Sequence, residues 1–335
     1  MANRFDRFDY NALMRSQIPA HLTNIDNMRF DSEEDASAFF ARELDHIKAK
    51  TYDKIYPNFT VLNNLPRTSE AGEGAETVTY YSYDKSGLAA IIANYADDLP
   101  RADVAGKPTT VPIKSLGASY GYSIQEMRAS RMANKGLDAR KADAARYQIE
   151  RLTSKIALVG DKASGMMGLL SDWNDIPLYT LPDGASKSAS WKDKIADEIL
   201  LDVGGMLQFV SKITRDTEHP NKILLASNVY QDIANRRIPD TDTTVLKFIQ
   251  KNLDGIEDIV PAAELQADET EMNPYGKNLM VLYTDDADKI AFEEPMPFLQ
   301  HPIQAKNLAI EVPCESRVAG LMIYYPLSAL IAVGV

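Results

Sequence analysis

An α+β architecture follows from three features of this 335-residue chain. Two capped helical patterns bracket a glycine- and proline-punctuated, β-rich excursion over residues 68–112. A block of alternating helical and extended segments begins near Ser190, and about the last fifty residues are strand-dominated. With 45% hydrophobic and 25% charged residues, the composition lies in the ordinary globular range and allows one large domain or two smaller ones.

The first thirty or so residues scatter Phe5, Phe8, Tyr10, Leu13 and Ile18 among charges with no sustained period, which predicts an extended arm. Ser32 can then cap a helix. Its apolar positions Phe39, Phe40, Leu44 and Ile47 recur at three- and four-residue steps, and Glu33, Glu34 and Asp35 occupy the first turn, where the helix dipole favours negative charge. That helix should end near Thr51, ahead of Tyr56 and Pro57.

In the excursion, the runs Thr77 to Tyr83 and Thr109 to Ile113 predict two long strands with loops at their tip. Two strands offer little means of burying both faces, so a segment of this length needs a partner to cover it. Tyr80, Tyr81, Tyr83, Lys85 and Tyr95 are the candidate inter-subunit contacts. Tyrosine supplies large contact area at low entropic cost, and the absence of interleaved basic residues argues against base stacking.

Ser123 with Glu126 forms a capping box for a short helix that stops at Gly136, and Asp138 can cap a longer one. On the longer helix Ala145, Ile149, Leu152, Ile156 and Val159 form one apolar stripe; Arg140, Arg146, Glu150 and Lys155 lie on other faces, and Gly160 ends it. After a loop-rich stretch over 164–189, the pattern predicts a helix from about Trp191 to Ile213 and a strand at Lys222 to Ala226. A helix after Ser227, another near Val245 to Leu253, and a buried strand at Leu279 to Tyr283 complete this block. The stretches KIAFEE, LAIEVPCESRVAG, LMIYYP and LIAVGV read as the terminal strands, and no internal repeat or low-complexity tract occurs.

Composition excludes several functions. No run approaches roughly 18 apolar residues and the N-terminus lacks a charged-then-apolar signal pattern, so neither membrane span nor secretion is expected and a cytoplasmic origin is. The net charge of -12 argues against tight general binding of nucleic acid, which needs a clustered excess of Lys and Arg. The one cysteine, Cys314, excludes an internal disulfide and reads as a small buried residue, while four scattered histidines argue against a zinc site.

Gly117, Ala118, Ser119, Tyr120 and Gly121 match the G-x-S-x-G nucleophile pattern, with His219 and His301 as conceivable bases. A nucleophile elbow turns directly from strand into helix, whereas the capping box places helix onset at Ser123, four residues late, so a serine hydrolase using Ser119 is the disfavoured reading. Gly72 and Gly74 resemble the start of a phosphate-cradling loop, but Glu70, Glu73 and Glu76 would repel phosphate. The acidic pairs Asp97–Asp98, Asp285–Asp286 and Glu293–Glu294 read as solvated surface, since adjacent residues rarely face one ligand. No catalytic, cofactor-binding or metal-binding residues are expected.

The order of parts (arm, capped helix, β excursion, capped spine-like helix, α/β block, terminal strands) resembles the Hong Kong 97-type capsid fold of tailed-phage major capsid proteins and encapsulin shells. The stretches ARELDHIKAKTYD, SEAGEGAETVTYYSYDKSG, YADDLPRADVAGKPTTVPIKSLGASYGYSIQEMR and LDARKADAARYQIERL resemble one such capsid family, from about Ala41 to Leu170 or roughly two fifths of the chain. The resemblance implies an N-terminal arm (1–34), a peripheral domain in three parts (35–67, 111–190 with a spine helix at 138–160, and 286–335), an extended loop (68–110) and an axial domain (191–285). It implies a non-enzymatic, cofactor-free protein that assembles with itself, as pentamers and hexamers, into an icosahedral head enclosing phage DNA. Such a virion protein would be made in the bacterial host cytoplasm without a membrane step. A portal and decoration proteins are further partners of such a head, and some forty residues ahead of the matched region are too few for a built-in scaffolding domain, so a separate scaffolding protein or none is expected. An encapsulin-type nanocompartment shell is the alternative, marked by an N-terminal helix that forms a cargo groove. Some members of the fold join neighbours through a lysine of the extended loop and an asparagine of the peripheral domain, assisted by a glutamate. Lys85, Asn307 and Glu315 are available types, but no motif fixes them, and Lys85 reads as a solvated or ion-paired charge.

Overall fold

The computed structural model describes residues 56–89, 101–132, 140–253 and 255–335. The expected arm, the helix capped by Ser32, Tyr95, the stop at Gly136 and the Asp138 cap lie outside them.

Helix α1 (Thr60–Asn64) buries Val61 and Leu62 and has no side-chain cap from its own neighbourhood. Its N-terminus is met instead by the buried carboxylate of Glu264, which accepts the Val61 N–H at 3.3 Å. The second Glu264 oxygen is buried without a hydrogen-bond partner among the described residues. Burial raises this carboxyl above its ordinary 4.5, and the N–H groups of Val61 and Thr60 pull it only part of the way back. A proton is then held more tightly in the folded chain than in the unfolded one, so this group favours the fold below about pH 4.5 and costs stability as pH rises through its raised value. Glu264→Gln is expected to flatten the pH dependence of the unfolding midpoint above pH 4.5 while keeping the cap acceptor, as thermal melts across pH would show.

Beyond β1 (Arg67–Thr68), strands β2 (Thr77–Gly87) and β3 (Ala102–Pro112) pair antiparallel in unbroken register, from Thr77 opposite Pro112 to Gly87 opposite Ala102. Strand β4 (Lys114–Ser123) leads into α2 (Ile124–Met132) through the expected capping box. The Ser123 N–H donates to Glu126 at 2.9 Å and the Glu126 N–H donates to the Ser123 hydroxyl at 3.1 Å.

The long helix α3 (Arg140–Val159) buries Ala145, Ile149 and Ile156 as its spacing predicts. Leu152, however, is 43% exposed, and Thr153, Ala157 and Leu158 complete the buried face instead. The buried face departs from the apolar stripe at this one position, and the Thr153 hydroxyl, donating to the Ile149 carbonyl at 2.9 Å, enters the core with its polar atom satisfied. Gly160 ends the helix at φ +74, and a Cβ there would lie 2.5 Å from the Met166 carbonyl oxygen. Gly160→Ala is therefore expected to destabilise the subunit by about 1–3 kcal/mol in denaturant unfolding.

After β5 (Leu178–Tyr179), α4 (Ala196–Thr214) starts at Ala196 rather than near Trp191. Residues before it fold back on the helix. Trp191 is buried with its indole N–H on Asp202 at 2.9 Å, and Lys194 reaches the same carboxylate at 2.7 Å, both side chains of that pair being almost fully buried. The Arg236 guanidinium donates to the carbonyls of Trp191 at 2.8 Å and Lys194 at 2.9 Å, pinning the segment from outside. Strand β6 (Lys222–Ala226), α5 (Ser227–Asn235), α6 (Val245–Asn252), β7 (Asp258–Ala262) and β8 (Leu279–Tyr283) follow, with β8 buried along its whole length.

The C-terminal part supplies β9 (Ile290–Glu293), β10 (Met296–Gln300), β11 (Gln304–Lys306), β12 (Ala309–Val318), β13 (Gly320–Ile323) and β14 (Ala329–Val333). These strands divide between sheets rather than returning together. Strand β12 pairs with β4 along its full length and with β10 and β11 on its other edge, and β1, β9 and β13 form a three-stranded sheet. The last strand enters the α/β block, in a five-stranded sheet of order β5-β14-β8-β6-β7. The run Ala329 to Ala332 is buried throughout, and an uninterrupted apolar strand needs an interior position with both faces covered. The Tyr283 hydroxyl donates to the Asn64 carbonyl at 2.6 Å, tying this sheet to α1.

Candidate functional site

The β2–β3 ribbon spans eleven residues per strand, roughly 35 Å when extended. Its foot is held by its own subunit. Val78, Tyr80 and Val111 pack with Ile113, Met322 and Tyr324. The Tyr80 ring meets Tyr324 edge-on at 4.9 Å and its hydroxyl donates to the Ile323 carbonyl at 3.3 Å. The loop below the foot is fastened by Arg317, which donates to the carbonyls of Glu73 and Ala75, and by buried Glu293, which accepts the Ala71 N–H at 2.8 Å and the Thr68 hydroxyl. Gly72 and Gly74 belong to this collar, with open space around both.

Above the foot the ribbon changes character. Directly opposed residues share a face, so Tyr81, Tyr83 and Lys85 stand beside Pro108, Gly106 and Val104 on one side. Ser82, Asp84, Asp103 and Lys107 occupy the other. The Tyr81 and Tyr83 rings stack at 6.3 Å with planes 20° apart, and Tyr83 lies over Gly106, where an added Cβ would sit 2.9 Å from the ring. Tyr81 is 61% and Tyr83 68% exposed, so the first apolar face turns inward at the foot and the second turns outward above it. Of the five residues expected at the contact, Tyr81, Tyr83 and Lys85 share this exposed face, Tyr80 is largely taken up by Tyr324, and Tyr95 is outside the described residues. Val104 and Pro108 escape a sequence reading, because a stretch containing Gly106, Lys107 and Pro108 carries no run of strand formers.

The chemical constellations resolve into structure. Ser119 sits in mid-strand opposite Pro313, and its hydroxyl donates to Glu311 at 2.7 Å, which with Lys306 holds that carboxyl below its usual range. Strand geometry continues to Ser123, so no nucleophile elbow forms at Ser119. His301 lies 3.0 Å from Glu315, and Cys314 is buried, its thiol pushed up by that burial. Glu293 and Glu294 turn to different partners, Glu294 to Arg67 at 3.4 Å, and Asp285 pairs with Lys222 at 2.9 Å. Asn307 forms the left-handed turn into β12 at φ +54, eight positions before Glu315. Among the described residues no group of three His, Cys, Asp or Glu side chains could hold a metal ion, and no helix is long and apolar enough to cross a membrane.

A long helix, a strand pair whose Tyr81 and Tyr83 face solvent, and an α/β block with a five-stranded sheet are the elements expected of a shell subunit of the Hong Kong 97-type fold. The capsid of Myoviridae phage XM1 superposes with a TM-score of 0.75 at 15% identity, covering 90% of this chain and 100% of that one. A Mycobacterium phage Ogopogo structure gives 0.58 at 12% identity over 87% and 96% of the two chains, and the virus-like particle from Pyrococcus furiosus gives 0.52 at 14% over 81% and 91%. No curated protein sequence matches. The family model described as major capsid protein matches residues 87–335, and the chain belongs to that family. Family and fold mark a structural protein rather than an enzyme.

Proposed function

We propose that this chain is the self-assembling subunit of the icosahedral head of a tailed phage, forming pentamers and hexamers whose shell encloses genomic DNA. One observation carries the contact mode: Tyr81 and Tyr83 are 61% and 68% exposed on a two-stranded ribbon that has no second layer behind it among the described residues. A neighbouring copy is the cover that a shell supplies. In this reading residues 191–285, joined by β14, form the axial part around the symmetry axes, and α3 with the β4–β12 sheet forms the peripheral part. Large interfaces in every copy offset the entropic cost of assembly. The charge of -12 suits a wall that holds DNA without adhering to it strongly. Such a head is built in the bacterial host cytoplasm and would take a portal and decoration proteins as partners, with a separate scaffolding protein or none.

Purified protein imaged by negative-stain electron microscopy is expected to show closed shells, or pentamers and hexamers. A monodisperse monomer under all assembly conditions overturns the reading, and native shells filled with a protein cargo in place of nuclease-protected DNA would move it to a nanocompartment.

A further inference from the structure

We infer that α1 is a proton-dependent latch between the long helix α3 and the α/β block, shut most firmly when Glu264 carries a proton and opening locally over residues 57–66 as pH rises. The inference goes beyond the shell-subunit reading and does not depend on it.

The geometry places α1 between two other parts of the subunit. On one side it packs on α3, where Phe59 at its N-cap meets Tyr147 with ring centroids 5.4 Å apart. On the other it touches β7 and the short turn Ala263–Leu265 that follows β7. A helix of five residues is too short to persist unaided, so its closure depends on what grips its ends. At the N-terminal end the Val61 N–H donates to Glu264 at 3.3 Å, and at the C-terminal end the Asn64 carbonyl accepts the Tyr283 hydroxyl at 2.6 Å. Both gripping residues are buried members of the α/β block.

The two grips answer differently to protons. Burial pushes the Tyr283 hydroxyl far up, so it stays a donor at any ordinary pH. Glu264 is the sensitive grip, because its Oε2 is buried with no hydrogen-bond partner among the described residues. The nearby Glu269 adds to the cost of its charge. The surrounding elements bring little relief. Helix α1 has no charged side chain, and Asp258 lies at the far end of β7. Lys222 of β6 is paired with Asp285, Asp232 of α5 with Arg236, Arg146 of α3 with Glu150 and Arg151 of α3 with Glu271, while Lys155 of α3 is exposed.

Opening α1 lets water reach the carboxylate, so ionisation favours the open form. Burial holds the closed-state carboxyl above its ordinary 4.5, and the proton is therefore bound more tightly when the latch is shut. Closure is strongest below about pH 4.5, weakens by up to about tenfold per pH unit from there to the raised value, and then levels off. The event stays local. The segment commits Val61, Leu62 and Leu65 to the core, whereas β8 is buried along its whole length.

Hydrogen exchange of the full chain, read by mass spectrometry and corrected for base catalysis of amide exchange, tests the latch. Residues 57–66 should exchange faster by up to about tenfold per pH unit above pH 4.5, with 279–283 still protected. Glu264→Gln keeps an acceptor for the Val61 N–H and should remove that slope. Tyr283→Phe frees the Asn64 carbonyl and should speed exchange of 57–66 by a similar factor at every pH, leaving the slope in place. A corrected profile with no slope, a slope that survives Glu264→Gln, or release of 57–66 only together with 279–283 would each overturn the latch. Should Glu264→Gln fail to fold, the wild-type and Tyr283→Phe profiles decide.

Discussion

Replacing Tyr81 and Tyr83 together with serine is expected to abolish shells at concentrations where the unaltered chain assembles, while the lone subunit keeps its stability to within about 1 kcal/mol. Both rings are mostly solvent-exposed in the subunit, so little native packing is lost with them. Aromatic anchors at the centre of an interface cost about 2 kcal/mol or more each on truncation, and two per ribbon amount to roughly a thousandfold in concentration. Assembly followed by light scattering, beside denaturant unfolding of the dissociated subunit, separates the two effects. Tyr80→Ala is the contrasting control. Its ring packs on Tyr324 and its hydroxyl reaches the Ile323 carbonyl, so the subunit itself should lose stability. Equal loss of subunit stability in both variants would refute a division of labour between foot and upper face.

Asp202→Ala should be among the most damaging changes in the α/β block, costing about 3–5 kcal/mol in denaturant unfolding. It strands the Lys194 ammonium and removes the acceptor of the Trp191 indole N–H, all in the interior. Burial pushes the Asp202 carboxyl up, and Lys194 and Trp191 pull it back only in part. The intact pair therefore fixes geometry more than it adds net stability, and breaking it is costly because a charge is left behind. Changing both partners, Lys194→Met with Asp202→Leu, should recover much of the loss. A double variant as unstable as Asp202→Ala would contradict this account.

Short-range chemistry made much of this fold legible. The Ser123–Glu126 capping box, strands Lys222–Ala226 and Leu279–Tyr283, and the glycine stop at Gly160 all lie where spacing predicts them, because each depends on residues a few positions apart. The tyrosine pair was also within reach, since alternate positions of a strand share a face. The failures have one origin. The start of α4 moved because Trp191 and Lys194 are claimed by Asp202, and Leu152 is left exposed because the body packs on the side of α3 that carries Thr153, Ala157 and Leu158.

The amino-acid order marked this chain as α+β, placed tyrosines at alternate positions of its β excursion, and carried an order of parts that resembles a capsid subunit. Tertiary structure decided which strands keep company, sending β14 to β8 rather than back with β12 and β13. It also decided that Glu264 caps a helix 203 positions away. Periodicity within a segment reports which side wants burial. The surface that provides it is chosen by distant residues competing for the same apolar and polar partners, and no local pattern records that competition.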